Sequence, residues 1–145
     1  MPTLSVAPAD DVSGFELAPL PATGGAYVAM LNRMGEPVWW NKALPQSVFR
    51  ARYDSAAQTV TWVGLNQDTG AQTFITSTLD RVETRVPAPQ NAHQDFALLP
   101  EGGFVVLVLD DRDVDGTTVR GESLQEVGPD GAVRVLWSSW DSLTW

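Results

Sequence analysis

The chain contains no cysteine and only one histidine, His93, among its 145 residues. Without cysteine there is no disulfide, no thiolate nucleophile and no cysteine-ligated zinc site. The cellular compartment stays open, because proteins on either side of a membrane can lack cysteine. The serines at 138, 139 and 142 have no matching base, so serine catalysis has no support.

Basic residues are also scarce: nine Lys and Arg stand against 18 Asp and Glu, giving a net charge of -9. They are scattered along the chain, so no basic patch exists for a phosphate backbone, and we expect no nucleic-acid partner. No apolar run approaches the length of a membrane-spanning helix. Residues 1–11 lack the basic and apolar regions of a signal peptide, so the sequence leaves the localisation unknown.

Helical periodicity is almost absent, and short β-rich runs separated by turn residues take its place. With 43% hydrophobic and 19% charged residues, the composition is that of a globular protein. We therefore predict an all-β fold. The predicted strands are residues 27–31, 37–40, 48–53, 59–65, 73–78, 82–86, 95–99, 104–109, 123–127 and 132–137.

The strands form a repeat. Residues 26–40 and 123–137 each have the order strand, turn and strand ending in tryptophan, and residues 73–86 are a weaker copy. The turns lie at positions 35, 80 and 131, spaced by 45 and 51 residues. A period of about 40 to 50 residues with four strands per unit is typical of a β-propeller blade.

We therefore predict a single domain over residues 1–145, with about three antiparallel four-stranded blades near 1–40, 48–86 and 95–137. Such a propeller is incomplete, and its open blade edges are expected to pair with missing sequence or with another subunit. The alternative is a β-sandwich of the same strand count, which needs no closure.

Residues 92–103, with the sequence AHQDFALLPEGG, resemble the His-His-Asp-Phe and Leu-Pro-Asn-Gly-Asn pattern of arylsulfotransferases. Three further segments are similar to family motifs in the same order: GEPVW at 35–39, GESLQEVGPDGAVRVLW at 121–137 and WDSL at 140–143. Each motif alone is weak, but their order and spacing together are moderately specific.

The resemblance implies a six-bladed propeller that is longer than this chain, so the chain would be one piece of the propeller. Members of the family are usually exported. It also implies transfer of a sulfuryl group from an aryl sulfate to a phenolic acceptor, with no cofactor required. His93 would be the nucleophile, and Asp95 would orient its ring. Further histidines and an arginine would hold the sulfate, and Arg112 and Arg120 are candidate donors.

The chain departs from that pattern at two positions. Gln94 stands where the family has a second histidine, and Ser142 replaces a later one. Sulfuryl transfer through histidine needs a neutral imidazole and several donors for the sulfate oxygens, so we expect the isolated chain to be inactive. Whether the protein is an enzyme stays open. The alternative is a non-enzymatic propeller module for binding or protein interaction, in which His93 is structural.

A second set of residues competes for a functional role. Asp111, Asp113, Asp115 and Glu122 match the spacing of an EF-hand calcium loop, with Gly116 at its turn. Strands rather than helices flank the segment, which argues against an EF-hand. It remains either a strand-connecting loop that binds Ca²⁺ or an acidic solvated loop between two strands.

Overall fold

The computed structural model describes residues 14–43 and 47–142, and within these ranges the chain is all-β, as predicted. It forms eleven strands and one short helix in the described residues. The strands are β1 (Glu16–Ala22), β2 (Gly25–Leu31), β3 (Pro37–Lys42), β4 (Ser47–Asp54), β5 (Thr59–Leu65), β6 (Gln72–Thr78), β7 (Glu83–Pro87), β8 (Ala92–Leu98), β9 (Phe104–Val114), β10 (Thr117–Val127) and β11 (Val133–Ser138), followed by the helix α1 (Ser139–Ser142).

The strands are arranged in three open antiparallel sheets, each made of strands consecutive in the chain. Sheet A has the order β1-β2-β3, sheet B the order β4-β5-β6-β7, and sheet C the order β11-β10-β9-β8. Every neighbouring pair is joined by a short turn, which suits antiparallel pairing. The sequence predicted the positions of most of these strands because their apolar runs end at clear turn residues.

The three sheets stack in chain order around two apolar clusters. Between sheets A and B, Val28 packs with Trp62 and Ile75, and between sheets B and C, Phe74 packs with Phe96 and other apolar residues. Strand β5 alternates its side chains between the two clusters, so both of its faces are covered. Five consecutive residues of the strand are therefore buried. Sheet B is therefore the middle layer.

The sheet backbones approach one another most closely at their first strands. β4 contacts β1, β2 and β8, and no other pair of strands from different sheets makes a comparably close backbone approach within the described residues. No helix in the described parts of the chain is long and apolar enough to cross a membrane.

The acidic segment is where the predicted strands were too short. β9 and β10 continue past the predicted boundaries and pair from Phe104 opposite Val127 to Val114 opposite Thr117. Only Asp115 and Gly116 connect them, with φ of 51° and 81°. Two adjacent residues with positive φ form the type of turn that matches strand twist, for which Asp-Gly is a preferred sequence. The predicted loop is a hairpin.

Candidate functional site

His93 and Asp95 both lie on β8, the first strand of sheet C. The pairing of β8 with β9 shifts register between His93 and Phe96, so this stretch contains a bulge. A bulge redirects side chains and is common beside functional sites. His93 pairs with Leu107, which alternates with the buried residues Val106 and Val108, so His93 lies on the sheet face turned away from sheet B.

Asp95 binds two arginines of β4 rather than the histidine. The Nη2 atom of Arg52 donates to Oδ2 of Asp95 at 2.6 Å, and Nε of Arg50 lies 3.4 Å from Oδ1. Arg52 also donates through Nε to the carbonyl oxygen of Phe96 at 2.9 Å. No hydrogen bond joins Asp95 to His93 among the described residues, so the expected orienting contact is not formed.

The environment of Asp95 keeps its carboxylate charged. Its partial burial acts to raise the pKa, but the hydrogen bond from Arg52, the backbone N–H of Phe96 and the charges of Arg52 and Arg50 outweigh it, so the pKa lies below its ordinary value. The backbone bond, from Phe96 N to Oδ1, is 2.8 Å long. This interaction also links the two sheets, since the arginines belong to sheet B and the carboxylate to sheet C.

His93 lies beside a different carboxylate. Its Nε2 atom is 3.5 Å from Oε1 of Glu122 on β10, and the His93 side chain is only 19% exposed. Within the described residues this buried Nε2 makes no hydrogen bond. The imidazole is thus held near a carboxylate at a distance longer than a good hydrogen bond.

A small cavity lies between β4 and β8. Phe49, Arg50, Ala92, His93 and Asp95 contribute to its wall. A wider opening to solvent beside it is lined by four of the same residues. The cavity therefore places the single histidine and an arginine from the neighbouring sheet on one concave surface.

The acidic residues proposed as metal ligands are spread along the β9–β10 hairpin. Arg120 forms two hydrogen bonds with Asp111, at 3.1 and 3.0 Å. Asp113 accepts from the backbone N–H of Gly116, and Glu122 lies beside His93. Asp115 is one of the two turn residues. In the described ranges no three acidic or histidine side chains come together as metal ligands.

Sequence reasoning missed the two arginines nearest to the candidate site. Arg50 and Arg52 are two residues apart on one predicted strand, which places both on the same face, and this spacing was the available signal. Arg112 and Arg120, considered as sulfate donors, are instead paired with Asp110 and Asp111 on the hairpin. Which of the two arginine pairs lies beside the site depends on contacts between sheets. The periodicity of the sequence gives no information on those contacts.

Comparison with models of known protein families, with curated proteins and with solved structures finds no match.

Proposed function

We propose that the chain forms three blades of an arylsulfotransferase-like β-propeller and binds the sulfate group of an aryl sulfate in the cavity shared by Arg50 and His93. One observation carries the proposal: Arg50 of β4 and His93 of β8 both line the same opening at the mouth of the cavity. An oxyanion is stabilised by donors of this kind when they converge in a partly enclosed site.

The local charge also favours the binding of an anion. Arg50 and Arg52 face one carboxylate, Asp95, so the group has an excess of one positive charge within a chain of net charge -9. Because Asp95 and Arg52 bind each other at 2.6 Å, Arg50 at 3.4 Å is the more available donor. Glu122 opposes anion binding on the far side of His93, so we expect weak affinity.

In a complete enzyme, the chemistry would proceed through His93. Its neutral nitrogen would attack the sulfur atom, an N–S bond would form as the S–O bond to the aryl group breaks, and the phenolate would leave with the bonding electrons. A phenolic acceptor would then take the sulfuryl group, release its proton and free the imidazole. The isolated chain offers few donors for the sulfate oxygens, so binding without turnover is expected.

Titration of the chain with 4-nitrophenyl sulfate, followed by calorimetry or by NMR of the His93 ring, tests the proposal. We expect a dissociation constant of about 1 mM, weakened about tenfold or more in Arg50→Ala and less in His93→Ala. Arg134→Ala is the matched control, because Arg134 forms an exposed ion pair with Glu126 on sheet C. Equal affinity in Arg50→Ala and the control would refute the site.

The competing function is a binding module without chemistry. Gln94 and Ser142, at positions where the family has histidine, favour it. Measuring 4-nitrophenol release tests for transfer: release by the chain that disappears in His93→Ala would contradict the module.

A further inference from the structure

A bulge in β4 lies directly beside the cavity. Val48 and Ala51 are three residues apart, yet their partners on β5 are only two residues apart. Phe49 and Arg50 therefore lie together opposite one residue of β5, which is the pattern of a β-bulge. Such a bulge changes the direction of the side chains that it carries.

The bulge explains which side of β4 each of these residues faces. Val48 and Ala51 both pack against the apolar cluster between sheets A and B, although residues three apart on a regular strand point to opposite faces. Phe49 and Arg50 are adjacent in sequence, yet both line the cavity and its opening. The extra residue thus brings an aromatic and a charged residue to the same side of the strand.

Phe49 offers an apolar ring at the opening. The residue is 48% exposed, and most of the surface of a phenylalanine belongs to its ring. In the described part of the chain it contacts no other aromatic ring. Pockets for small ligands are lined mainly by apolar and aromatic side chains, with a few polar groups that orient the ligand. The position of Phe49 fits the first of these two roles.

The same opening has few groups that could recognise a sulfate by its shape. Among the described residues that line it, only Arg50 and His93 have polar side chains. Each already lies beside a carboxylate, that of Asp95 at 3.4 Å and that of Glu122 at 3.5 Å. Two such side chains attract a negative charge but do not surround three tetrahedral oxygens, so a planar carboxylate satisfies them equally well.

We propose that Phe49 makes this site selective for the aromatic ring of its ligand, while the acid group is recognised by its charge. The ligand class is then aromatic monoanions, aryl carboxylates as well as aryl sulfates. The ring of the ligand lies against Phe49 in an offset-stacked or edge-to-face arrangement, with the acid group at Arg50. The inference rests on the anion site proposed above.

The charge beside Phe49 favours anionic over cationic aromatic ligands. An aromatic ring on its own also attracts cations to its face. Here Arg50 follows Phe49 in the chain, and Arg50 and Arg52 together face the single carboxylate of Asp95. A cation on the ring of Phe49 would lie close to this excess of positive charge, whereas an anion is attracted by it.

Titrations with 4-nitrophenyl sulfate and with ethyl sulfate, followed by NMR, test the selectivity, because only the first ligand has a ring. We expect wild type to bind the aryl sulfate about fivefold more tightly. Phe49→Leu should remove most of this difference by weakening the aryl ligand alone, and Phe49→Tyr, which keeps the ring, should retain it. Phe15→Leu is the matched control, since Phe15 is 61% exposed and does not line the cavity.

Two further measurements separate ring recognition from a general effect of the substitution. The ring protons of bound 4-nitrophenyl sulfate should shift through the ring current of Phe49, and the shift should be absent in Phe49→Leu at equal saturation. 4-Nitrobenzoate should compete for the site with a dissociation constant within about threefold of that of the aryl sulfate, because both carry one negative charge. Circular dichroism of each variant establishes that its sheets are intact.

Equal effects of Phe49→Leu on the two sulfates, or no effect on either, would overturn the inference, as would failure of 4-nitrobenzoate to compete. In each of these cases the anion site itself stands if Arg50→Ala still weakens sulfate binding. If wild type binds neither sulfate, the anion site is refuted and this inference falls with it.

Discussion

Asp95 is the residue at which two neighbouring sheets are joined by charge. Its oxygens accept from Arg52 of sheet B and from the backbone N–H of Phe96 within the bulge of sheet C. Arg52 in turn donates to the Phe96 carbonyl. The arginine therefore satisfies the backbone of the irregular stretch that carries His93, and the bulge and the ion pair support each other.

We predict an acid-dependent stability contribution from Asp95. Its folded-state pKa is lowered, so the stabilisation is complete above the unfolded value of about 3.9 and is lost as the pH falls through the folded value. At neutral pH, Asp95→Asn should cost about 1 kcal/mol or less, because Arg52 and Asp95 are 45% and 40% exposed. Urea unfolding at several pH values measures the difference.

The difference between wild type and Asp95→Asn should shrink toward zero below the folded pKa. Asp68→Asn is the control, since the Asp68 carboxylate has no bonded partner among the described residues. A difference that stays constant from neutral to strongly acidic pH would contradict the charge-pair explanation.

At the scale of elements, the β9–β10 hairpin has a structure that differs from the one its motif spacing indicates. Its acidic residues satisfy a calcium-loop spacing, yet the chain uses them for a two-residue turn and for cross-strand pairing with Arg120. The Asp115-Gly116 pair between two extended segments was the local signal for a hairpin. The backbone follows the turn preference of the Asp115-Gly116 pair and not the spacing of a calcium loop.

We predict that Gly116→Ala destabilises the chain by about 1 to 2 kcal/mol. The cause is conformational, because Gly116 has φ of +81° and a new Cβ would meet nothing within 4 Å. Asp115→Gly at the preceding turn position, where φ is 51°, should be neutral or slightly stabilising. Thermal unfolding of both variants measures the effect, and an unaltered midpoint in Gly116→Ala would contradict the turn assignment.

The sequence predicted strands well where apolar runs end at turn residues. Strand 59–65 was predicted with the observed bounds, because turn residues precede and follow this β-rich run. The site was only half predictable. His93 and Asp95 stand out by type, whereas the partnership of Asp95 with Arg52 spans 43 residues and depends on how sheets B and C stack.

At the scale of the whole molecule, sheet B couples the two apolar clusters. Trp62 is fully buried in the cluster with sheet A, and Phe74, on the adjacent strand, is 1% exposed in the cluster with sheet C. Phe74 stacks on Phe104 with a centroid distance of 4.1 Å and contacts the edge of Phe96. Loss of either cluster exposes one face of the same sheet.

We predict that Phe74→Ala costs about 3 to 5 kcal/mol through lost packing and a cavity at the interface of sheets B and C. Phe15→Ala is the matched control, because Phe15 is 61% exposed and should change stability by less than about 0.5 kcal/mol. Urea unfolding should remain a single transition when followed by tryptophan fluorescence and by circular dichroism. Two separate transitions would show that the clusters unfold independently.

The shared middle sheet also has a consequence for synthesis of the chain on the ribosome. Val28 of sheet A is buried against Ile75 of sheet B, and Phe74 of sheet B is buried against Phe104 and Val127 of sheet C. The apolar faces of sheets A and B therefore stay exposed to solvent until the following sheet has emerged, about 40 to 50 residues later in chain order. Nascent chains paused at these stages expose one face at a time, the condition in which chaperones are most needed.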